Sequence, residues 1–304
     1  MKKIFAVIIV ILALPLLSQA CDTCGCNVNN RYTSILPDFR NHVLGLRYRY
    51  SSLNSYTTGA PGTSTFETYN SFELWGGWNI THKIRVMASI PYRFEELNHQ
   101  AATMSKNGLG DISLLVYYKL LDNRHIIDSE KSRVQNLWFG AGVETPTGKY
   151  EPSDKNILNG SGNLYQLGSG STDVIFNVVY NLFLRNWELD GSTIYKINTV
   201  NKDRYEYGNY FNVKAQAYYK FYIARTMTVA PDIGLQFENF QHSVDNDQWV
   251  KTATGNVITG TVGVETNFKG MAIGGSFQIP LQQNLGKGII DVNNTYVVHV
   301  AFTL

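Results

Sequence analysis

The chain has 304 residues, with 26 basic against 24 acidic side chains. Removal of residues 1–20 would take Lys2 and Lys3 and leave 24 of each sign, a balance that exerts no long-range pull on nucleic acid. There are 19 Tyr, 15 Phe and 26 Gly but only three Cys, a composition that suits an all-β chain and excludes a disulfide-stapled one.

Residues 1–20 read as a secretory signal peptide. Lys2 and Lys3 precede an apolar run from Ile4 to Leu17, and the small residues Ser18 and Ala20 stand before Cys21. That run is shorter than the roughly 20 residues of a membrane-spanning helix. Residues 21–40 form an N-terminal segment expected in the periplasm, and it holds every cysteine of the chain: Cys21, Cys24 and Cys26. Three readings of this C-x-x-C-x-C motif stand open. Cys21 directly follows the cleavage point and is a candidate for lipidation. A disulfide among the three would leave one odd thiol. Three thiolates on a short tether would also suit capture of a soft metal, Cu(I) or Zn²⁺.

Residues 41–304 alternate with period two. In "HVLGLRYRY", Leu44, Leu46, Tyr48 and Tyr50 point one way, and Gly45, Arg47 and Arg49 the other. "KIRVMASIPYRF", "DISLLVYYKLL" and "NVKAQAYYKFY" repeat the pattern. Twelve strands are expected, at 41–52, 67–80, 83–95, 109–121, 136–146, 171–184, 187–198, 209–222, 226–240, 254–267, 270–282 and 292–304. Most exceed a soluble strand and match the 9–11 tilted residues that cross a bilayer.

Short connectors follow even strands and long ones follow odd strands, with Asp122–Gln135 as the exception. Short turns on one rim and long loops on the other mark an outer-membrane barrel. The Thr147–Gly170 connector, rich in Gly, Asn and Ser, is expected to lie outside the cell. A soluble barrel also alternates, but with its apolar face inward. Strand number, aromatics near the strand ends, and a last strand that alternates to Leu304 favour lipid outside. The fold class is thus an all-β transmembrane antiparallel up-and-down barrel of about 12 strands. It is expected as a monomer in outer-membrane lipid, delivered there by the barrel-assembly machinery.

The polar face then lines the lumen. Its candidate residues are Arg47, Arg49, Glu73, Arg85, Arg93, Asp111, Lys119, Glu144, Asp173, Lys214, Lys220, Asp232, Glu238 and Glu265. Both signs occur together, which argues against a one-sign selectivity ring. Cross-strand ion pairs that fill a narrow barrel are one use for them, and a route that binds and releases a solute is another. Pro91 and Pro280 on this face mark a bulge or a strand end. For catalysis, His99 and Ser105 share a segment expected to be a loop, without the geometry a base and nucleophile need. No enzyme is expected.

"GLGDISLLVYYKL" (108–120), "WFGAGVETPTGKY" (138–150) and "LGSGSTDVIFNVVYN" (167–181) occur in this order. Together they resemble the outer-membrane transporter family of the phenol-degradation (MetA) pathway. That resemblance, over about residues 40–304, implies passive uptake of a small, apolar or aromatic solute. Gly110 and Gly170 would free the backbone where loops re-enter strands, and Asp111 and Asp173 would accept backbone N–H bonds at the rim. The other function in view is a non-transporting barrel or anchor, whose cysteine segment handles soft metal or redox partners.

Overall fold

A computed structural model describes residues 41–56, 64–99, 102–126, 132–156, 163–223, 226–250 and 254–304. The segment 1–20 expected as a signal peptide, and Cys21, Cys24 and Cys26, lie outside the described residues.

Twelve strands form the wall. They are β1 (Val43–Tyr56), β2 (Ser64–Asn79), β3 (Ile84–His99), β4 (Ala102–Leu109 continuing as Ile112–Ile126), β5 (Ser132–Thr145) and β6 (Asp173–Leu184). Then come β7 (Trp187–Ile197), β8 (Tyr210–Tyr219), β9 (Met227–Phe240), β10 (Gly255–Phe268), β11 (Met271–Leu285) and β12 (Thr295–Thr303). Each pairs antiparallel with its sequence neighbours, and β1 pairs with β12, so the sheet closes. Closure leaves no strand edge unpaired, which a hydrocarbon environment requires. A small three-stranded sheet of Tyr205–Glu206, Val244–Asp245 and Gln248–Trp249 sits on the loop rim.

The outward face is apolar. Leu46, Leu74, Ile90, Val116, Phe139, Ile233, Leu235, Val264 and Val298 are all exposed. A continuous apolar belt of this extent suits lipid rather than water. Aromatic rings gather along it. Tyr48 packs on Phe72 at 4.9 Å, and Tyr92 on Phe94 at 5.1 Å. Nearer the short-turn rim, Tyr219 packs on Trp187 and on Phe221, both at 4.9 Å.

The structure corrects the connector map. The exceptional Asp122–Gln135 connector is mostly strand, because β4 runs to Ile126 and β5 starts at Ser132. The rule of short turns after even strands therefore holds without exception. Glu96–Gly108 is not a loop either: His99 pairs with Ala102 and Arg93 with Gly108 in a hairpin that extends the wall. Ser105 thus lies on a strand opposite Glu96. Neither inward proline ends a strand. Pro91 faces the break in β4, where the Gly110 N–H donates to its carbonyl at 2.9 Å. Pro280 stands at a bulge in the β10–β11 pairing. Proline lacks the ladder donor, so it is tolerated where pairing is already interrupted.

Nor is the inward face uniformly polar. Toward the short-turn rim, Val43, Trp75, Ala272 and Ala301 form one buried cluster. Leu115, Tyr117, Trp138, Ile175, Val179 and Ile194 form another. Gly45 makes room for Trp75, since a Cβ there would lie 2.5 Å from the indole. These stretches of the lumen are packed like a protein core.

The two faces predict opposite responses to charge. Ile233→Arg places a cation in lipid near mid-strand and should destabilise the barrel by about 2–4 kcal/mol. Arginine at its inward neighbour Asp232 should cost less, because the ring of polar groups there can solvate it. Unfolding by denaturant, read from heat-modifiable gel migration, measures both; the reverse order would invert the assignment of faces.

Candidate functional site

The three phrases "GLGD", "PTGK" and "GSGSTD" lie far apart in sequence but meet at one point on the loop rim. Asp111 follows the break in β4 and is buried. Its Oδ1 accepts from the Gly148 N–H at 2.8 Å, and its Oδ2 from the Ser169 N–H at 2.6 Å and the Ser169 hydroxyl at 3.0 Å. Thr147 donates its hydroxyl to the Gly110 carbonyl at 2.8 Å. The Ile112 N–H donates back to the Thr147 hydroxyl at 2.9 Å. Gly170 takes a φ of 72°, a conformation glycine adopts without penalty, and so turns the loop back into β6. One carboxylate therefore ties both ends of the 146–172 connector to the wall.

The tie continues sideways. The Ser171 hydroxyl donates to Asp173 Oδ1 at 2.8 Å, and that same oxygen accepts from the Thr199 N–H at 3.0 Å. Lys196 on β7 then pairs with Asp173 at 3.0 Å and with Glu144 on β5. All three side chains are fully buried. A lysine between two carboxylates satisfies charges that would otherwise stand unpaired in a dry wall.

Held this way, the connector folds into the barrel mouth rather than standing clear of it. Its residues 157–162 lie outside the described residues, but Leu164 is buried against Leu53, Tyr210, Phe240, Val257, Leu285 and Ile290. Tyr207 donates its hydroxyl to the Asn163 carbonyl at 3.1 Å, and Gln166 exchanges two hydrogen bonds of 2.8 Å with the Glu151 backbone. Lys106 holds Asp154 at 2.9 Å and lies 3.8 Å from the Tyr165 ring centre. Burial pushes the phenols of Tyr150 and Tyr165 in this cap upward from their ordinary range.

Beneath the cap is a cavity of about 120 Å³. One water needs roughly 10–15 Å³, so several fit. Three arginines (Arg47, Arg49, Arg93) and four carboxylates (Glu73, Glu95, Asp111, Glu238) line it. Most are already engaged. Arg47 donates to Glu73 at 3.0 Å, and Ser89 donates to the other Glu73 oxygen. Tyr210 donates to Glu238 at 2.6 Å. Glu95 differs. It is 2% exposed, and neither of its oxygens accepts a hydrogen bond among the described residues. Arg93 stands 3.7 Å away.

Of the fourteen lumen candidates, six surround this cavity: Arg47, Arg49, Glu73, Arg93, Asp111 and Glu238. Glu144 and Asp173 belong to the Lys196 triad. Glu265 pairs with His299 at 3.0 Å, and Asp232 accepts from Gln216 at 2.5 Å. Lys214 faces inward on β8, with Asp190 and Asp232 as its anionic neighbours. Toward the short turns, Lys220 pairs with Glu188 at 2.6 Å, and Lys119 with Asp122 at 3.0 Å. Arg85 donates to the Asn79 side chain at 3.2 Å. Sequence reasoning missed Glu67, Glu95, Lys106, Glu188, Asp190, Lys196 and His299. Their signal was parity: Glu95 is two residues from inward Arg93, and Glu188 to Lys196 alternate on β7.

Two outcomes are expected. Asp111→Ala removes three charge-assisted bonds, and losing even one is worth about tenfold in cap opening. Trypsin should then cut at exposed Lys149 at least about tenfold faster in a barrel that still migrates as folded; an unchanged rate would refute the tie. Lys196→Met strands two buried carboxylates and should cost about 3–5 kcal/mol in denaturant unfolding.

The fold is shared with a solved outer-membrane channel. The COG4313 outer membrane channel from Pseudomonas putida F1 aligns over 87% of this chain and 96% of its own, at 14% identity and a TM-score of 0.60. The beta domain of the Bordetella autotransporter Brka aligns over 87% and 100%, at 10% identity and a TM-score of 0.47. No curated protein matches the sequence. A family profile, described as "Putative MetA-pathway of phenol degradation", matches residues 46–285, which span all three rim motifs and most of the wall. The chain belongs to that family.

Proposed function

We propose that this chain is a channel of the bacterial outer membrane through which a small solute passes by diffusion. The observation that supports it is the charged cavity of about 120 Å³ inside a closed lipid-facing barrel, beneath a cap tied to the wall. A barrel built only as an anchor has no need of a cavity with both charge signs. The cap is held by hydrogen bonds, by the Lys106–Asp154 ion pair and by the buried side chains of Tyr150, Leu164, Tyr165 and Leu167, none of which belongs to the strand pairing of the wall, so it can part from the mouth without breaking the barrel. The P. putida F1 protein that shares the fold is an outer membrane channel, which agrees with this reading. Solute size is limited by the cavity. Tyr69 and Phe240 in its lining, with the apolar cluster above it, suit a solute that carries an apolar or aromatic part.

One observation favours the other reading, a barrel that transports nothing. Part of the lumen is filled by Trp75, Trp138, Leu115 and Ile175. Purified full-length chain in planar bilayers and in liposomes separates the two. The channel reading expects discrete conductance steps and liposome swelling that slows as solute mass rises. Absence of conductance and of swelling with every small solute would leave the closed barrel.

A further inference from the structure

Buried carboxylates in this barrel have partners almost throughout. Glu73 is held by Arg47 and Ser89, Glu67 by Ser55 and Tyr69, and Asp111 by three donors of the cap. Glu95 has no such donor. It lies on β3 opposite Tyr69 of β2 and Lys106 of β4. The Lys106 ammonium is committed to Asp154 and the Tyr165 carbonyl. Arg93 makes only a long ion pair with Glu95, at 3.7 Å and without a hydrogen bond, and the same nitrogen lies 3.5 Å from the Gln166 carbonyl. A carboxylate buried without donors is costly, because it has lost water and gained nothing in return. A wall that supplies donors to Glu67 two residues from its strand partner, yet none to Glu95, leaves a place for a donor from elsewhere.

The surroundings say which donor. Glu95 lines the cavity, so the missing partner can arrive through the lumen. Carboxylates around the cavity outnumber arginines by four to three, which favours an incoming cation over an anion. Tyr69 beside Glu95, and Phe240 and Val257 opposite, offer an apolar surface to the rest of the molecule.

We propose that the cavity is a binding site for a small organic cation, with Glu95 receiving its ammonium group and the apolar lining its carbon part. This rests on the channel reading for how the solute arrives, but not for whether it binds. A solute held by a single charge-assisted contact and a small apolar surface would bind weakly, as passage demands.

The test uses three probes of one size and three headgroups: propylammonium chloride, sodium propionate and propanol. Each is titrated against the detergent-solubilised full chain, with binding read by saturation-transfer NMR. Saturable binding of propylammonium is expected, at least about tenfold tighter than either other probe. In Glu95→Gln the propylammonium affinity should fall by about tenfold or more, with folding checked by heat-modifiable migration. The comparison among probes is made on the wild-type chain, so it decides even if the variant does not assemble. Propionate or propanol binding as well as propylammonium would overturn the site, and so would a folded Glu95→Gln variant within about twofold of wild type. Conductance is measured separately. A chain that binds propylammonium but never conducts would refute the channel and keep the site; a conducting chain that does not distinguish the probes would do the reverse.

Discussion

Lipid offers no hydrogen bonds, so every backbone N–H and C=O in the wall must find a partner in another strand. In this chain that requirement is met by pairing β1 with β12, eight residue pairs from Val43–Thr303 to Tyr50–Tyr296. The rest follows from closure. With all edges joined, each strand has one face toward lipid and one toward an enclosed lumen. The apolar set is committed outward, so the residues left over, many of them charged, are forced together inside. Charges brought into a confined space must then pair, and the Arg47–Glu73, Lys196–Asp173 and Lys220–Glu188 contacts are the result.

Pairing inside the wall is not evidence of great stability. Each ion gives up its water, and the Coulomb gain roughly offsets that loss. What a mixed network does provide is register. Arg47 meets Glu73 directly across β1 and β2, and a slip of one strand by one residue would turn its member of the pair into lipid. The Lys196 triad does the same for β5, β6 and β7. On this view the inward charges are first a device that fixes which strand residue faces which, and only some of them are free for another task.

The wall was legible from sequence because bilayer thickness imposes a strict alternation on each crossing. Strand 171–184 was expected and Asp173–Leu184 is observed. Legibility failed where that constraint ends. Beyond the membrane both faces meet water or loop, so "EELNHQAATMSKNG" lost its alternation and read as a loop, although it is a hairpin. The apolar lumen residues failed for another reason. "SLLVYY" is apolar on both faces, and period two cannot show that Leu115 and Tyr117 turn inward to fill a core. The rim motifs were better. Asp111 and Asp173 were read as acceptors of backbone N–H groups, and both are. Their meeting through Ser169 and Ser171 needed the third dimension.

That meeting ties the cap to the same residues that build the wall. Asp111 sits at the break in β4, opposite Pro91, where the ladder already lacks a donor. A continuous strand there would turn its N–H groups to β3 and leave no room for the carboxylate to face the loop. The gap in pairing is therefore what lets the wall reach up and hold the cap. Pro91 and Asp111 also both line the cavity, beside Glu95 and Arg93. Cap, break and cavity thus share one patch of β3 and β4. A solute that displaced Arg93 from the Gln166 carbonyl would loosen the cap at the place where it is tied.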